Sequence, residues 1–319
     1  MHEFELIKKY FKKLTQKNPS ALKLNDDVFF DKSKKIVISV DTYVKGVHFI
    51  NFNKPNLVIK KIIRSSISDL ICKGVKPKYY FLSGSGNDKS FSQLNLHKIS
   101  KSLKQEQNKY SIFLCGGDTV YSNKLSFSIT SIGFSNKIIK RNNAKLNDDI
   151  YVTGNLGDSF VGLKVLKKQI KVNNKLKNYF VKKYYEPELQ IKLVNWLISF
   201  ANTSIDISDG LIADLEKLIN NQSLSYKLNL EKVPVSNNLK NLIIKKRLNK
   251  VSFISNGDDY QILFTAKPAM SRIISNTAKS LGIKISKIGK ICSNHQKSKI
   301  IDEKGNKIAV KTKGYSHKF

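Results

Sequence analysis

The sequence predicts a two-domain α/β protein, and three observations carry that reading. Its 319 residues leave room for two ordinary domains, and 40% of them are apolar, enough to supply two cores. Runs of period two alternate along the chain with runs of helical period, as strands covered by helices do. At residues 136–142 one such series ends in Lys140-Arg141 and a new strand–loop–helix unit begins, which divides the chain into 1–138 and 139–319.

In the first half, Phe4, Ile7, Phe11 and Leu14 repeat at helical spacing opposite a lysine face, the pattern of a packed N-terminal helix. Asn25-Asp26-Asp27 follows in a loop. The strand over 35–41 turns Ile36, Ile38 and Val40 to one face and Val37, Ser39 and Asp41 to the other, so Ser39 and Asp41 act together. A helix over 56–72 is stopped by Gly74. Asp69 falls in its last turn, where the helix dipole disfavours a carboxylate and a cation is needed: Lys73 or a metal ion. Residues 83–87, Ser-Gly-Ser-Gly-Asn, lack the third glycine of a dinucleotide loop and predict a turn. A helix over 92–106 and a strand over 110–115 lead into Gly116-Gly117-Asp118-Thr119, where two glycines let backbone amides approach an anion and Asp118 holds a cation, unless the stretch is a plain hairpin loop. An alternating strand over 125–133 closes the half.

The second half opens with a strand over 149–153, a turn at Gly154-Asn-Leu-Gly157-Asp158 and a helix over 159–169; without Gly-Lys-Ser/Thr this is an ordinary connection rather than a P-loop. A helical segment over 177–200 is interrupted by Pro187. Ser204-Ile-Asp206-Ile-Ser208-Asp209-Gly-Leu211 then places Ile205 and Ile207 in a core, Asp206 and Ser208 on the opposite face, and Asp209 at the start of a helix over 211–219. Hard oxygens clustered at a strand end suit Mg²⁺ and a polyphosphate; the same residues also fit a plain helix cap. Strands over 225–230, 253–255, 260–265, 284–291 and 299–301 and a helix over 269–281 complete the half.

A formal charge of +33 first points to nucleic acid, yet only four of the 57 basic residues are arginine, the side chain that reads phosphates and bases best. The lysines are spread along the chain with no basic tail, so no nucleic-acid partner is expected. No apolar run approaches the roughly 20 residues of a membrane span, and Glu3 and Glu5 stand where a signal peptide is basic, then apolar. No membrane partner and a cytoplasmic location are expected, in keeping with three unpaired cysteines. The 24 acids are more telling than the bases: Asp26-Asp27, Asp148-Asp149, Asp206 with Asp209, and Asp258-Asp259 form close sets that repel unless cations offset them.

Taken in order, Asp26-Asp27, Ser39-Val-Asp41-Thr-Tyr-Val-Lys-Gly46-Val-His48-Phe, Ser68-Asp69-Leu, Gly116-Gly-Asp118-Thr, Arg141-Asn-Asn-Ala-Lys145, Tyr151-Val-Thr-Gly154-Asn-Leu-Gly157-Asp158, Asp206-Ile-Ser-Asp209-Gly-Leu, Asp258-Asp259-Tyr and Lys313-Gly-Tyr315 resemble the thiamine-monophosphate kinase family, in the superfamily of aminoimidazole ribonucleotide synthetase. The resemblance spans residues 3–315. It implies that superfamily's two-domain α/β fold, a homodimer formed through the N-terminal domains, and direct transfer of the ATP γ-phosphate to thiamine monophosphate. Carried over residue by residue, it implies that Asp27, Ser39, Asp41, Asp69, Asp118, Asp206 and Asp209 hold Mg²⁺. Gly117, Asp118, Arg141 and Ser208 would contact ATP, and His48, Asp258 and Tyr315 the thiamine substrate. Asp118, Asp209 and Arg141 would carry the transfer, which needs positioning and charge more than covalent chemistry. The chain departs from the family pattern at Asn25 for Gly, Val40 for Thr, Leu189 for Pro, Gln190 for Arg, Asn256 for Gly and Asp258 for Glu. A sibling ATP-dependent synthetase, or a non-catalytic basic binder of nucleic acid, is the alternative.

Overall fold

Two sheets, each drawn from one half of the chain, hold the helices that line the site between them. The protein is described by a computed structural model covering residues 3–317. The first half contains α1 (Glu3–Leu6), β1 (Phe29–Asp31), β2 (Ile36–Val44), α2 (Pro55–Cys72), β3 (Pro77–Gly86), α3 (Gln93–Tyr110), β4 (Phe113–Gly116), β5 (Thr119–Tyr121) and β6 (Ser126–Phe134). Its sheet runs β1-β2-β6-β3-β4, with β5 also on β3. The pleat does what the alternation of β2 requires: Val37, Ser39 and Tyr43 are buried beneath α2, while Val40 on the outer face is exposed.

The second half contains β7 (Asp149–Thr153), α4 (Asp158–Leu166), α5 (Asn174–Tyr185), α6 (Val194–Phe200), β8 (Thr203–Asp206), α7 (Leu211–Leu218), β9 (Leu224–Asn229), α8 (Asn237–Lys246), α9 (Lys250–Ile254), β10 (Ile262–Ala266), α10 (Ser271–Leu281), β11 (Ile285–Ser293) and β12 (Lys299–Ile301). Its sheet runs β12-β9-β11-β7-β10-β8, so β8 is an edge strand, with Asp206 at its end paired to Ile262. That edge is buried against α2: Ser204 Oγ donates to the Cys72 carbonyl at 2.5 Å, and Lys73 Nζ donates to the Ser204 carbonyl at 2.7 Å. One hydrophobic cluster joins Ile62, Ile63 and Tyr80 of the first half to Tyr184, Leu197 and Phe264 of the second.

Three local expectations are corrected, and one helix is new. The N-terminal helix passes into a π turn at Ile7–Phe11 and a 3-10 turn at Lys12–Thr15; this breaks the 3.6 periodicity of the stripe, leaving Phe11 and Leu14 exposed rather than packed. The side chain of Phe4 lies outside the described residues. Residues 83–87 are mostly strand, because Gly84 and Gly86 make room for the Phe91 ring, whose atoms lie 3.3 and 3.0 Å from where their Cβ atoms would stand. The strand expected at 253–255 is the end of α9, and α8, not anticipated, starts where Ser236 Oγ accepts from Leu239 N at 3.0 Å.

Candidate active site

The organising element is α2, an 18-residue helix buried along nearly its whole length. Lys61, Ser65, Ser68, Asp69 and Cys72 recur at spacings of four, three, one and three, so they form a ridge along one face of the helix. Eight residues separate Lys61 from Asp69, about 12 Å along the axis at the α-helical rise. Different chemistry gathers at each end.

At the Asp69 end three carboxylates from three elements converge: Asp41 of β2, Asp69 of α2 and Asp206 of β8. Burial pushes Asp41 up to about 6, and burial with repulsion from Asp214 and Asp41 pushes Asp206 up to about 7. Asp69 is raised well above the ordinary carboxylate range, first by burial and then by Asp41 and Asp206. Asp41 Oδ2 is buried with no hydrogen-bond partner, an expensive condition that a cation would relieve. Ser39 Oγ, beneath them, donates to the Ser66 carbonyl at 3.3 Å. Among the described residues, no three His, Cys, Asp or Glu side chains are already arranged to hold a metal ion. The donor set nevertheless fits one: all hard oxygens, mutually repelling, one orphaned.

Asp26 and Asp27 sit beside this cluster in a different state. Lys73 Nζ lies 2.8 Å from Asp26 Oδ1 and 2.6 Å from Asp27 Oδ2. Arg141 donates its backbone N–H to Asp26 Oδ2 at 2.9 Å and its Nε–H to Asp27 Oδ2 at 3.2 Å, and its Nη2 pairs with Asp27 Oδ1. Arg141, expected on ATP phosphates, therefore grips a carboxylate with one edge of its fork; Nη1 makes no hydrogen bond to any described residue.

The stretch after β8 settles what caps α7. Asp214, inside the first turn, accepts from Asp209 N at 2.9 Å and Gly210 N at 3.0 Å, so neither Ser208 nor Asp209 is used as the cap. The Asp209 carboxylate pairs instead with Lys217, which also reaches Asp214 at 2.9 Å. Burial opposes the Lys217 charge, but Asp214 and Asp209 outweigh it and raise its pKa.

Gly117 and Asp118 lie apart, exposed between β4 and β5. Asp118 Oδ1 accepts from Thr119 N at 2.8 Å. A side chain at Gly117 would overlap the Leu82 carbonyl, so the glycine is required by its neighbour strand whatever else it does. Asp118 is thus not gathered with Asp41, Asp69 and Asp206 within one chain.

At the Lys61 end the three residues expected on the thiamine substrate come together. His48, His317 and Tyr315 form an aromatic series, with centroids 5.6 Å apart for the first pair and 5.0 Å for the second. His48 Nδ1 accepts from Val44 N at 3.0 Å, which leaves Nε2 as the site of the remaining proton; burial, then His317, lowers its pKa. Asp258 closes the site with a 2.6 Å ion pair to Lys61, while Lys61 stands 3.9 Å from the centroid of the Tyr184 ring. Asp258 has φ 66, a conformation that Asp adopts more readily than longer acids, which accounts locally for Asp in place of Glu.

The sequence has relatives in keeping with this geometry. Residues 23–135 match the family described as AIR synthase related protein, N-terminal domain. A thiamine-monophosphate kinase of Buchnera aphidicola subsp. Acyrthosiphon pisum is 35% identical over 323 residues, covering 99% of this chain and 98% of that one. The chain belongs to the thiamine-monophosphate kinase family. A second thiamine-monophosphate kinase, from Buchnera aphidicola subsp. Schizaphis graminum, is 36% identical over 324 residues, again covering 99% and 98%. In three dimensions the chain resembles AaThiL complexed with AMPPCP and TMP, with a TM-score of 0.84 and 27% identity over 99% of this chain and 97% of that one.

Within this thiamine-monophosphate kinase fold, sequence reasoning missed Lys61, Asp214, Lys217 and His317 as parts of the site, and gave Lys73 only to Asp69. The flanks of Lys61 were a readable signal, since a lysine set among Val58, Ile59, Ile62 and Ile63, all buried, needs a buried partner. Nothing local marks His317.

Proposed function

We propose that the chain transfers the γ-phosphate of ATP to thiamine monophosphate, giving thiamine diphosphate and ADP. The α2 ridge carries this reading: aromatic rings with a carboxylate at one end, a cluster of three mutually repelling carboxylates about 12 Å away at the other. That suits a substrate with a heterocycle at one end and a phosphate at the other. Mg²⁺, held by Asp41, Asp69 and Asp206, with Ser39 and Asp209 close by in sequence, would supply charge neutralisation between the phosphates. His48, Asp258 and Tyr315 orient the thiamine portion, and Arg141 and Ser208 face the nucleotide. No base is needed, because the acceptor phosphate is already ionised.

Two further parts of the reading rest on packing. The outer face of the first sheet presents Val40, Phe81, Phe113 and Phe134 to solvent, more contiguous apolar surface than a monomer usually leaves open. A homodimer through this face, formed by the domain 1–138 while 139–319 stays outside, would also bring the exposed Asp118 of one copy toward the other. Sedimentation should then give a dimer, and Val40→Asp a monomer. A cytosolic, nucleic-acid-free enzyme is the reading we favour: two of the four arginines, Arg64 (buried) and Arg141 (largely buried), are engaged in ion pairs, and the three cysteines are free thiols. Among the described residues no helix is long and apolar enough to cross a membrane.

The deciding experiment incubates the chain with ATP, Mg²⁺ and thiamine monophosphate. Thiamine diphosphate and ADP should appear in equal amounts. ATP hydrolysis without thiamine diphosphate, or activity only on another superfamily substrate, would overturn the assignment.

A further inference from the structure

The resemblance assigns Asp27 to Mg²⁺, but every oxygen of the carboxylate pair of which it is half is already engaged by a protein donor. Asp26 Oδ1 accepts from Asp27 N at 2.9 Å and pairs with Lys73; Asp26 Oδ2 accepts the Arg141 backbone. Asp27 Oδ2 pairs with Lys73 and accepts Arg141 Nε–H, and Asp27 Oδ1 pairs with Arg141 Nη2. All four oxygens are engaged, whereas the neighbouring Asp41 keeps one buried oxygen with none.

Lys73 is saturated. An ammonium has three N–H donors, and three acceptors surround this one: Asp26 Oδ1, Asp27 Oδ2 and the Ser204 carbonyl. Its side chain is wholly buried, and its backbone N–H is tied to the Ile71 and Leu70 carbonyls at the end of α2. Mg²⁺ on Asp27 would stand against the Lys73 ammonium and the Arg141 guanidinium, both already paired with this carboxylate, and displacing either would strand a charge in the interior.

We propose that in this chain Asp27 is not a metal ligand, and that the Lys73 ammonium is a resident cation standing where the resemblance puts a metal ion. The Asp26–Asp27 pair then serves two protein cations: it seats Lys73 and holds one edge of the Arg141 guanidinium so that Nη1 is presented to the nucleotide. This deepens the reading of a Mg²⁺-dependent phosphotransferase and rests on it.

The test counts ions rather than turnover. Mn²⁺ bound per chain is measured by electron paramagnetic resonance with a non-hydrolysable ATP analogue and thiamine monophosphate present, for the wild type, Asp27→Asn and Lys73→Met. Asp27→Asn should bind as many ions as the wild type. Lys73→Met should bind one more, and its melting temperature should rise with added Mg²⁺ further than that of the wild type. Loss of one ion in Asp27→Asn, or an unchanged count in a folded Lys73→Met, would overturn the inference while leaving the metal reading intact. A wild type that binds no Mn²⁺ would overturn both. Should Lys73→Met not fold, the Asp27→Asn count decides by itself.

Discussion

Lys61 of the first half and Asp258 of the second meet in a 2.6 Å ion pair beside His48, with the ammonium wholly buried and the carboxylate about a quarter exposed. Tyr260 also donates to the same Asp258 oxygen at 3.2 Å, leaving the other carboxylate oxygen for a ligand. Lys61 therefore fixes where that second oxygen points. Lys61→Met should lower kcat/KM for thiamine monophosphate at least tenfold, about 1.4 kcal/mol, while the KM for ATP moves less than about twofold. Steady-state kinetics with each substrate varied in turn checks this; equal effects on both substrates would mean that the pair merely holds the halves together.

Gly117 and Asp118 are adjacent, and their substitutions should fail in opposite ways. Gly117→Ala forces a methyl group against the Leu82 carbonyl and should cost about 1–3 kcal/mol of stability, read by urea unfolding. Asp118→Asn sits in the open and gives up little beyond the Thr119 N–H bond, so stability should stay within about 0.5 kcal/mol. Its rate of thiamine diphosphate formation should drop by well over tenfold, more than about 1.4 kcal/mol in the barrier. A smaller loss would make Asp118 a turn residue.

Where the sequence reading succeeded and where it failed follows from which forces were local. Strand 149–153 and strand 299–301 were placed to the residue because turn residues and charged ends bound them. The pleat of β2 paired Ser39 with Asp41 correctly, since alternation is a property of the strand alone. Residues 83–87 differ from the expected turn because glycines signal a turn locally, whereas packing against Phe91, Leu125 and Phe127 explains them as strand. The partners of charges were the least legible part. Lys73 with Asp26–Asp27 and Lys61 with Asp258 are contacts across many residues of sequence, and no spacing rule encodes them.

Asp158 offers a test of burial on stability away from the transfer site. Its carboxylate accepts from Ser236 Oγ at 2.6 Å and Tyr179 OH at 2.8 Å, yet burial outweighs both bonds and raises its pKa. From the ordinary Asp value of about 3.9 upward, the folded chain holds this proton more tightly than the unfolded chain does. Stability from this group therefore falls as pH rises through that window. Asp158→Asn removes the titration, and both hydroxyl partners can turn to suit an amide. Measured by urea unfolding from about pH 4 to pH 8, the variant should gain on the wild type as pH rises; a difference independent of pH would mean that Asp158 is not the group responsible.

Arg141 gives the sharpest prediction, because its two duties require a shape and not merely a charge. Asp27 occupies Nε and Nη2, the side edge of the guanidinium, and Nη1 remains for a phosphate. An ammonium at this position keeps the charge and still pairs with Asp27, but it has no rigid second edge to aim at the nucleotide. Arg141→Lys should therefore weaken the use of ATP at least tenfold, about 1.4 kcal/mol or more in kcat/KM, while the KM for thiamine monophosphate barely moves. Stability should change by no more than about 1 kcal/mol, since one charge-assisted hydrogen bond to Asp27 survives. Arg272→Lys, an exposed position on α10, is the matched control and should be silent. If the two substitutions alter the ATP dependence equally, Arg141 belongs to the ion-pair network with Asp26, Asp27 and Lys73 alone, and the phosphate must be met by other residues.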